Sequence, residues 1–589
     1  MVLGAPGAGK STFLRKMGLE ALKGKQGRFN YGLIPVFVEL KRFTEREIEI
    51  QQYLTNEFTT CGFPQPKETV NQLLEQGKLL ILLDGLDEIP TRNLNPAIDK
   101  IQDFVDKYKE NRFVASSRTA AYHSSFRRFT DVTIANFDKA QIEQFIQNWF
   151  QSEEDKRANT ATKCWQALNQ AENQGARELA QTPLLLTFLC LVYHQSQNVP
   201  NKRSSLYGKA LRILLEEWGA EKRVERDPIY QQLSIELEEV LLGKIAFAGF
   251  EQDKLFFQKQ EIVQQIKSFL TSNLNAPQHL DGEKVLQAIE LQQGILVERA
   301  ADIFSFSHLT FQEYLVAQHL VDNNKIPELV SNYATNIRWQ EVFLLVAELM
   351  RGGADDLLWL MEQQARQYLT TPVGQKYLVP LLDWSEKMTA GSKSKLTSGK
   401  KRAIANAYVI AYAYANAYAI ANAYANVLAN AYANAYAITN VIANAYANAY
   451  AITNAIANAY AIAYANANAN ALEKFIDVAR ELDKLEIYNR VNYNVLIARL
   501  EVLKARIPDD QQPRKVQRKF SQKIIQTWLE AFQLSLELVT IPQAELEEID
   551  QQYFYVHWLL VKCKEAAMFV SPQTWQQLEE KMLTADEHR

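Results

Sequence analysis

Cysteine is scarce in this chain. Cys61, Cys164, Cys190 and Cys563 are scattered over 589 positions and form no CxxC pair. That excludes a disulfide framework or a cysteine zinc site as the organising principle, and it fits a reducing compartment. Long apolar runs are missing too. The longest, Leu79–Leu83 and Leu184–Tyr193, fall far short of the roughly 18–20 residues that span a bilayer. Only Met1, Val2 and Leu3 precede a glycine-rich segment, which leaves no room for a secretory leader. We therefore expect a cytoplasmic protein without a membrane partner. Charge of one sign is not in excess: 64 Lys and Arg against 68 Asp and Glu give a net charge of −4. A globally basic nucleic-acid binder is not expected from that balance. What remains is ordinary globular composition, 47% hydrophobic and 22% charged, in a chain long enough for several domains.

Residues 1–135 alternate strand and helix signals. Ile34–Leu40, Lys78–Leu83 (ending in Asp84), Arg112–Ser116 and Val132–Ile134 read as strands, with amphipathic helices such as Ser11–Lys23 and Ile98–Lys107 between them. Buried strands alternating with helices imply a parallel sheet covered on both faces. From 136 to about 400 the pattern is mostly helical, with one interruption. A helical stretch, Val285–Gln292, stops at Gly294, and two short strands, Ile295–Glu298 and Ile303–Ser307, flank Ala300-Ala301-Asp302. Thr310-Phe311-Gln312-Glu313 then reads as a capping box opening a helix to about Leu320. Helix, hairpin, helix is compatible with a winged-helix unit. A DNA-reading role for it is disfavoured, because Glu283–Gln292 offers just one basic residue, Lys284, where a groove reader needs several phosphate contacts.

Residues 403–471 are a low-complexity tract. Alanine occupies nearly every odd position, Asn, Tyr, Ile or Leu the even ones, and Ala429–Ile442 recurs as Ala443–Ile456 with one Val/Ala difference. Period 2 argues strand, but alanine at half the positions argues helix, and we expect helix without a clean amphipathic face. The tract carries no charge, yet about one residue in five is Asn, which makes a membrane span implausible. It reads as a tolerated spacer or, alternatively, an oligomerisation element. Residues 472–589 return to ordinary helices, with Phe475, Ile476, Ala479, Leu482 and Leu485, and then Ile524, Trp528, Phe532 and Leu536, at helical spacing. Arg514, Lys515, Arg518, Lys519 and Lys523 form a basic cluster, expected to be a solvated helix face.

Two motifs carry chemistry. Gly4-Ala5-Pro6-Gly7-Ala8-Gly9-Lys10-Ser11, followed by Thr12, satisfies GxxxxGK[ST]. Its glycines let consecutive backbone N–H groups converge on an anion at a helix N-terminus. Lys10 would neutralise the β/γ-phosphates, and Ser11 would hold Mg²⁺. About 75 residues on, Leu79–Leu83 ends in Asp84 and is followed by Gly85-Leu86-Asp87-Glu88. That is the Walker B arrangement, a buried strand delivering Asp84 to the magnesium ion. A carboxylate just beyond, Asp87 or Glu88, could orient or deprotonate an attacking water.

GAPGAGKS, IPVFVEL, LLILLDGLDEIP and FVASSR, with the later QTPLLL (Gln181–Leu186) and FSHLTFQEYL (Phe306–Leu315), resemble the NACHT family of STAND (signal-transduction) P-loop NTPases. The resemblance covers about residues 1–320. It implies an α/β P-loop sheet followed by all-α architecture. Along the chain it implies a nucleotide-binding core (1–135), a small helical domain (136–200), a winged-helix region (201–322) and a further helical domain (323–402), to which the sequence pattern adds the repeat tract (403–471) and a C-terminal helical domain (472–589). It also implies a switch that is ADP-bound and closed at rest, and ATP-bound and oligomeric when triggered, in prokaryotes often against phage. Carried over by position, Lys10 and Ser11 are the Walker A contacts, Asp84 the Walker B acid, and Asp87 and Glu88 the family's extra acidic pair. Arg118 matches the sensor-1 arginine that reads the γ-phosphate. Pro183 matches the proline near the base, although it could simply open a helix. His308 matches the winged-helix histidine on the β-phosphate, although a lone histidine is often a satisfied core residue.

The strand before the glycine loop looks shorter than the ~5 residues usual for such a strand. We therefore expect an N-terminally truncated chain whose effector is missing. The expected cofactors are ATP or ADP with Mg²⁺. The glycine loop reads phosphates and leaves GTP open. The expected partner is a second copy on activation, with an unknown trigger sensed by the C-terminal region. A nucleotide-gated scaffold with negligible hydrolysis and a P-loop transcription regulator stay open as alternatives.

Overall fold

The computed structural model describes residues 1–4, 7–27, 32–40, 49–86, 89, 91–118, 128–221, 234–274, 282–283, 285–286, 289, 295–300, 302–419, 469–508, 512 and 514–585. The chain divides into two units, Met1–Asn323 and Asn324–Arg589.

In the first unit, β1 (Val2–Gly4) leads into α1 (Lys10–Leu22). β2 (Ile34–Glu39) precedes α2 (Ile50–Thr60) and α3 (Pro66–Glu75), and β3 (Leu79–Asp84) precedes α4 (Thr91–Lys107). β4 (Arg112–Arg118) and β5 (Val132–Thr133) complete a five-stranded sheet of order β2-β3-β4-β1-β5, parallel throughout. The apolar run of β3 exists because both of its faces are covered. Leu79, Ile81 and Leu83 pack with Val36, Val38, Leu54, Phe58 and Ile101, whereas Leu80 and Leu82 pack with Val2, Leu14 and Ala21 on the α1 side. Each such burial contributes about 1.5–3 kcal/mol. Buried Asn111 closes the bottom of the sheet: its Oδ1 accepts from the Leu79 N–H at 3.0 Å, and its Nδ2 donates to the carbonyls of Leu74 (2.7 Å) and Tyr108 (3.0 Å).

Helices α5 (Lys139–Trp149), α6 (Glu153–Ala158), α7 (Thr160–Leu168), α8 (Gln174–Ala180), α9 (Pro183–Ser196), α10 (Arg203–Glu221) and α11 (Ile235–Glu251) follow. Next come β6 (Phe257–Gln258), α12 (Lys259–Leu274), β7 (Leu296–Ala300), β8 (Ile303–Phe306) and α13 (Leu309–Asp322), the strands forming an antiparallel sheet of order β6-β8-β7. The expected hairpin is present, and β6 is an addition, too short to show any alternation in sequence. The expected capping box is corrected. His308 is the N-cap residue, with extended backbone and no side-chain cap bond. Thr310 is buried inside the first turn with its hydroxyl unpaired among the described residues. The Ser307 N–H donates to the Ile295 carbonyl at 2.7 Å. The chain therefore stays paired to the sheet up to Ser307, and the helix opens at Leu309, with Thr310 already inside it.

The second unit is helical: α14 (Ile326–Tyr333), α15 (Gln340–Leu349), α16 (Asp355–Tyr368), α17 (Val379–Thr389), α18 (Ser398–Ala419), α19 (Ala469–Lys484), α20 (Tyr493–Lys504), α21 (Arg514–Ala531), α22 (Leu536–Val539), α23 (Gln543–Ile549), α24 (Tyr555–Ala566) and α25 (Pro572–Lys581). The repeat tract is helical where it is described, at its start in α18 and its end in α19, and residues 420–468 lie outside the described residues. Ala403 to Ile410 are all buried, as befits a helix with large residues all round. Phe475, Ile476, Ala479, Leu482, Ile524, Trp528 and Phe532 are buried as their spacing predicts. Leu536 is not: α21 ends at Ala531, and Leu536 is 62% exposed at the start of α22. Lys515, Lys519 and Lys523 lie on an exposed face of α21. Among the described residues no helix is long and apolar enough to cross a membrane.

A buried polar network ties α16 to α24 and to the end of α25. Glu362 on α16 accepts from Arg366 Nε at 3.0 Å and faces His557 Nε2 at 2.9 Å, while His557 Nδ1 lies 3.0 Å from the Tyr553 carbonyl. A carbonyl can only accept, so Nδ1 carries a proton. Arg366 also donates to the Lys581 carbonyl at 2.8 Å. Arg402 donates to the carbonyls of Glu579, Glu580 and Met582. Two guanidinium groups thus cap the C-terminal end of α25. Burial opposes ionisation of Glu362, yet the charges of His557 and Arg366 outweigh it and hold its carboxyl below the usual glutamate value. A depressed folded-state value means the contribution is complete above about pH 4.3 and is lost as pH falls from there through the folded value. Glu362→Ala should lower the unfolding free energy by roughly 3–5 kcal/mol at neutral pH, because it removes the buried carboxylate that both His557 Nε2 and Arg366 Nε face. Denaturant titration of the full chain measures this. The two curves should approach each other in acid, and equal midpoints at neutral pH would contradict the network's role.

Candidate functional site

In a parallel sheet the C-terminal strand ends share one edge, where ligands bind. That edge carries Gly4 at the end of β1, Asp84 at the end of β3 and Arg118 at the end of β4. Register sets Arg118 directly opposite Gly4. β4 lies between β1 and β3, so across the sheet Gly4 and Asp84 are two strand spacings apart, about 9–10 Å, with Asp84 level with Ser116, two positions before Arg118.

The glycine loop turns through left-handed backbone at Gly7 (φ 74°) and at Gly9 (φ 89°), and Gly9 is the N-cap of α1. Ala5 and Pro6 lie outside the described residues, as do Asp87 and Glu88. Gly9, Lys10 and Ser11 are half-buried, Ala8 likewise, and Thr12 is exposed. Lys10 Nζ donates to the Gly4 carbonyl at 3.0 Å, folding the lysine back over the loop it would serve. The start of α1 directs its first backbone N–H groups and a positive dipole end at the same place.

Asp84 is held from the neighbouring strand. Ser116, buried in β4, donates to Asp84 Oδ1 at 2.6 Å and accepts from the Gly85 N–H at 2.9 Å. The Ser11 hydroxyl and the Asp84 carboxylate are hard oxygen donors, the chemistry Mg²⁺ takes alongside phosphate oxygens and water.

The small helices reach this loop from outside the sheet. The Leu184 N–H donates to the Gly7 carbonyl at 3.2 Å. A Cβ at Gly7 would stand 2.8 Å from Leu184 Cβ and 3.3 Å from Thr182 Cγ2, and one at Gly9 would stand 3.9 Å from Pro183 Cγ. Pro183 therefore does open a helix, as the first residue of α9, and it does so against the glycine loop. His308 is exposed at the start of α13, its ring edge-on to Phe188 of α9 at 6.3 Å. Phe188 in turn packs on Tyr207 of α10 and Phe311 of α13, and Tyr207 on Tyr314. This aromatic cluster joins the helix that touches the loop to the helix that carries His308.

Sequence reasoning missed Ser116, Leu184 and the aromatic cluster. Leu184 acts through its backbone and leaves no residue signal. A buried hydroxyl two positions before Arg118 is the one signal that could have pointed to Ser116.

Gly7→Ala should strain left-handed backbone by about 1–2 kcal/mol and push Leu184 away. Hydrogen exchange at the Leu184 amide should quicken and the melting temperature fall. Unchanged protection of that amide would show that the loop and α9 are not coupled in this way.

Three family models match the chain: the NACHT domain over residues 1–153, the winged helix-turn-helix domain C-terminal to NACHT over 203–320, and NACHT C-terminal helical domain 2 over 496–585. Among curated proteins, human Protein NLRC5 is 22% identical over 357 residues, 58% of this chain and 17% of that much longer protein. Solved structures similar to the chain include the STAND ATPase with a tetratricopeptide repeat sensor, PH0952, from Pyrococcus horikoshii. It is 10% identical, with coverage of 91% and 75% of the two chains and a TM-score of 0.27. The ORC2 protein of Aeropyrum pernix is also 10% identical, with coverage of 55% and 88% and a TM-score of 0.25. With its glycine loop, its acid-tipped strand and model matches spread over well more than half its length, the chain belongs to the NACHT family of STAND P-loop NTPases.

Proposed function

We propose that this chain is a nucleotide-driven signalling switch that binds and slowly hydrolyses ATP. It is closed around ADP at rest and open and self-associating around ATP, in prokaryotic defence or stress signalling. The observation that carries this reading is the seat of Thr182–Leu184 on the glycine loop. A loop that changes shape with its phosphate load would press on α9, and α9 is joined through the aromatic cluster to His308 and α13. A nucleotide shifts such an equilibrium only if it contacts the two states differently, and a histidine held on a separate helix supplies that difference.

Lys10 would leave the Gly4 carbonyl for the β/γ-phosphates, with Gly4, Ala5, Gly7, Ala8 and Gly9 giving backbone N–H groups, Pro6, which has none, shaping the turn between them, and Thr12 continuing the helix start. Ser11 and Asp84 would hold Mg²⁺, which when bound neutralises phosphate charge. Arg118 would read the γ-phosphate, Asp87 or Glu88 would accept the proton of the attacking water, Pro183 would lie by the base, and His308 would donate to the β-phosphate. Hydrolysis resets the switch. ATP is favoured over GTP from the family alone. The trigger would act on the C-terminal helices.

Denaturing the purified protein and identifying the released nucleotide tests this first. Bound ADP and slow ATP turnover are expected, with turnover falling about 100-fold in Lys10→Ala and Asp84→Ala. Retained ADP without Lys10-dependent turnover would favour a nucleotide-gated scaffold. Neither nucleotide nor turnover in folded protein would overturn the reading.

A further inference from the structure

We propose that Ser116 is the positioning residue of the Asp84 carboxylate, and that it sets the site's affinity for Mg²⁺ separately from its affinity for nucleotide. The proposal rests on the nucleotide-binding reading above. A serine hydroxyl has one hydrogen to give and lone pairs to accept with. The Gly85 N–H, 2.9 Å from Ser116 Oγ, can only donate. The single hydroxyl hydrogen is therefore free for Asp84 Oδ1, at 2.6 Å, a length typical of a charge-assisted O–H···O⁻ bond. Ser116 is 1% exposed, so water cannot take its place.

Two consequences follow from one atom. Asp84 Oδ1 is committed to β4, which fixes the carboxylate's rotation about its own strand end and leaves Oδ2 as the oxygen available to a cation. The Gly85 N–H is committed as well, where the chain turns through left-handed backbone at φ 81° into the segment bearing Asp87 and Glu88. Ser116 touches neither phosphate nor metal in this arrangement. It acts through the carboxylate, as the hydrogen-bonded partners behind metal ligands do elsewhere. Among the described residues the Ser116 hydroxyl bonds to Asp84 and Gly85 and not to the glycine loop, which would bind the phosphates.

The test is equilibrium binding of a fluorescent ADP analogue to the full chain, with EDTA and across a Mg²⁺ titration. Ser116→Ala should leave binding in EDTA unchanged and raise the Mg²⁺ concentration for half-maximal effect by about 10–100-fold. Ser116→Thr, which keeps the hydroxyl, should restore the wild-type Mg²⁺ response. If Ser116→Ala does not fold, as judged by its thermal transition, Ser116→Cys is read the same way, because a thiol is a weak donor. Equal losses with and without Mg²⁺, or an unchanged Mg²⁺ response, would overturn the proposal while leaving the reading of the site as a nucleotide-binding one standing on the wild-type chain. A folded wild-type chain that binds no nucleotide at all would instead overturn the reading of the site, and this proposal with it.

Discussion

The first unit depends on a stretch of backbone that must do without side chains. Left-handed conformation at Gly7 and Gly9 turns the chain from β1 into α1, and the space a side chain would fill at Gly7 is taken by Leu184 and Thr182. Two demands coincide at these glycines. One is the backbone curvature that aims N–H groups at an anion, and the other is the close approach of α9. Either demand alone would tolerate compromise. Together they make the loop both a binding surface and a joint.

The sheet behind this loop was legible because its physics is one-dimensional. β3 is buried on both faces, which demands an unbroken apolar run, and the run ends where the chain emerges at Asp84. Short elements were less legible. β6 has only Phe257 and Gln258, fewer residues than any alternation needs. Thr310 failed as a cap for a tertiary reason: its turn is packed into the core, so a pattern that normally marks a solvated helix start was occupied by burial. Leu536 failed similarly, since helical spacing continues across Phe532 and Gln533 although the helix itself does not.

The candidate site divides along the same line. Of the residues proposed to carry the chemistry, Lys10, Ser11 and Asp84 stood out by type and spacing, and Arg118 by resemblance to the family. Those that hold the site in place did not. Ser116 is an unremarkable serine until its strand is set beside β3. In the second unit the same asymmetry recurs: Glu362 and Arg366 are i,i+4 neighbours on α16, but His557 is 195 residues away, and only the packing of α16 on α24 brings it into the same buried network. The start of the repeat tract follows its pattern instead: a dipeptide alternation gives a helix no single amphipathic face, and from Ala403 to Ile410 every face is buried.

The bond between Leu184 and Gly7 runs from main chain to main chain. Its existence is therefore indifferent to nearly every amino acid that could stand at position 184. Sequence drift can alter the size and polarity of this contact without removing it, and comparison of sequences would score the position as variable. Proline alone lacks the N–H. Since a proline already stands one residue earlier to open the helix, the joint between loop and helix is written in the placement of that proline by a single position.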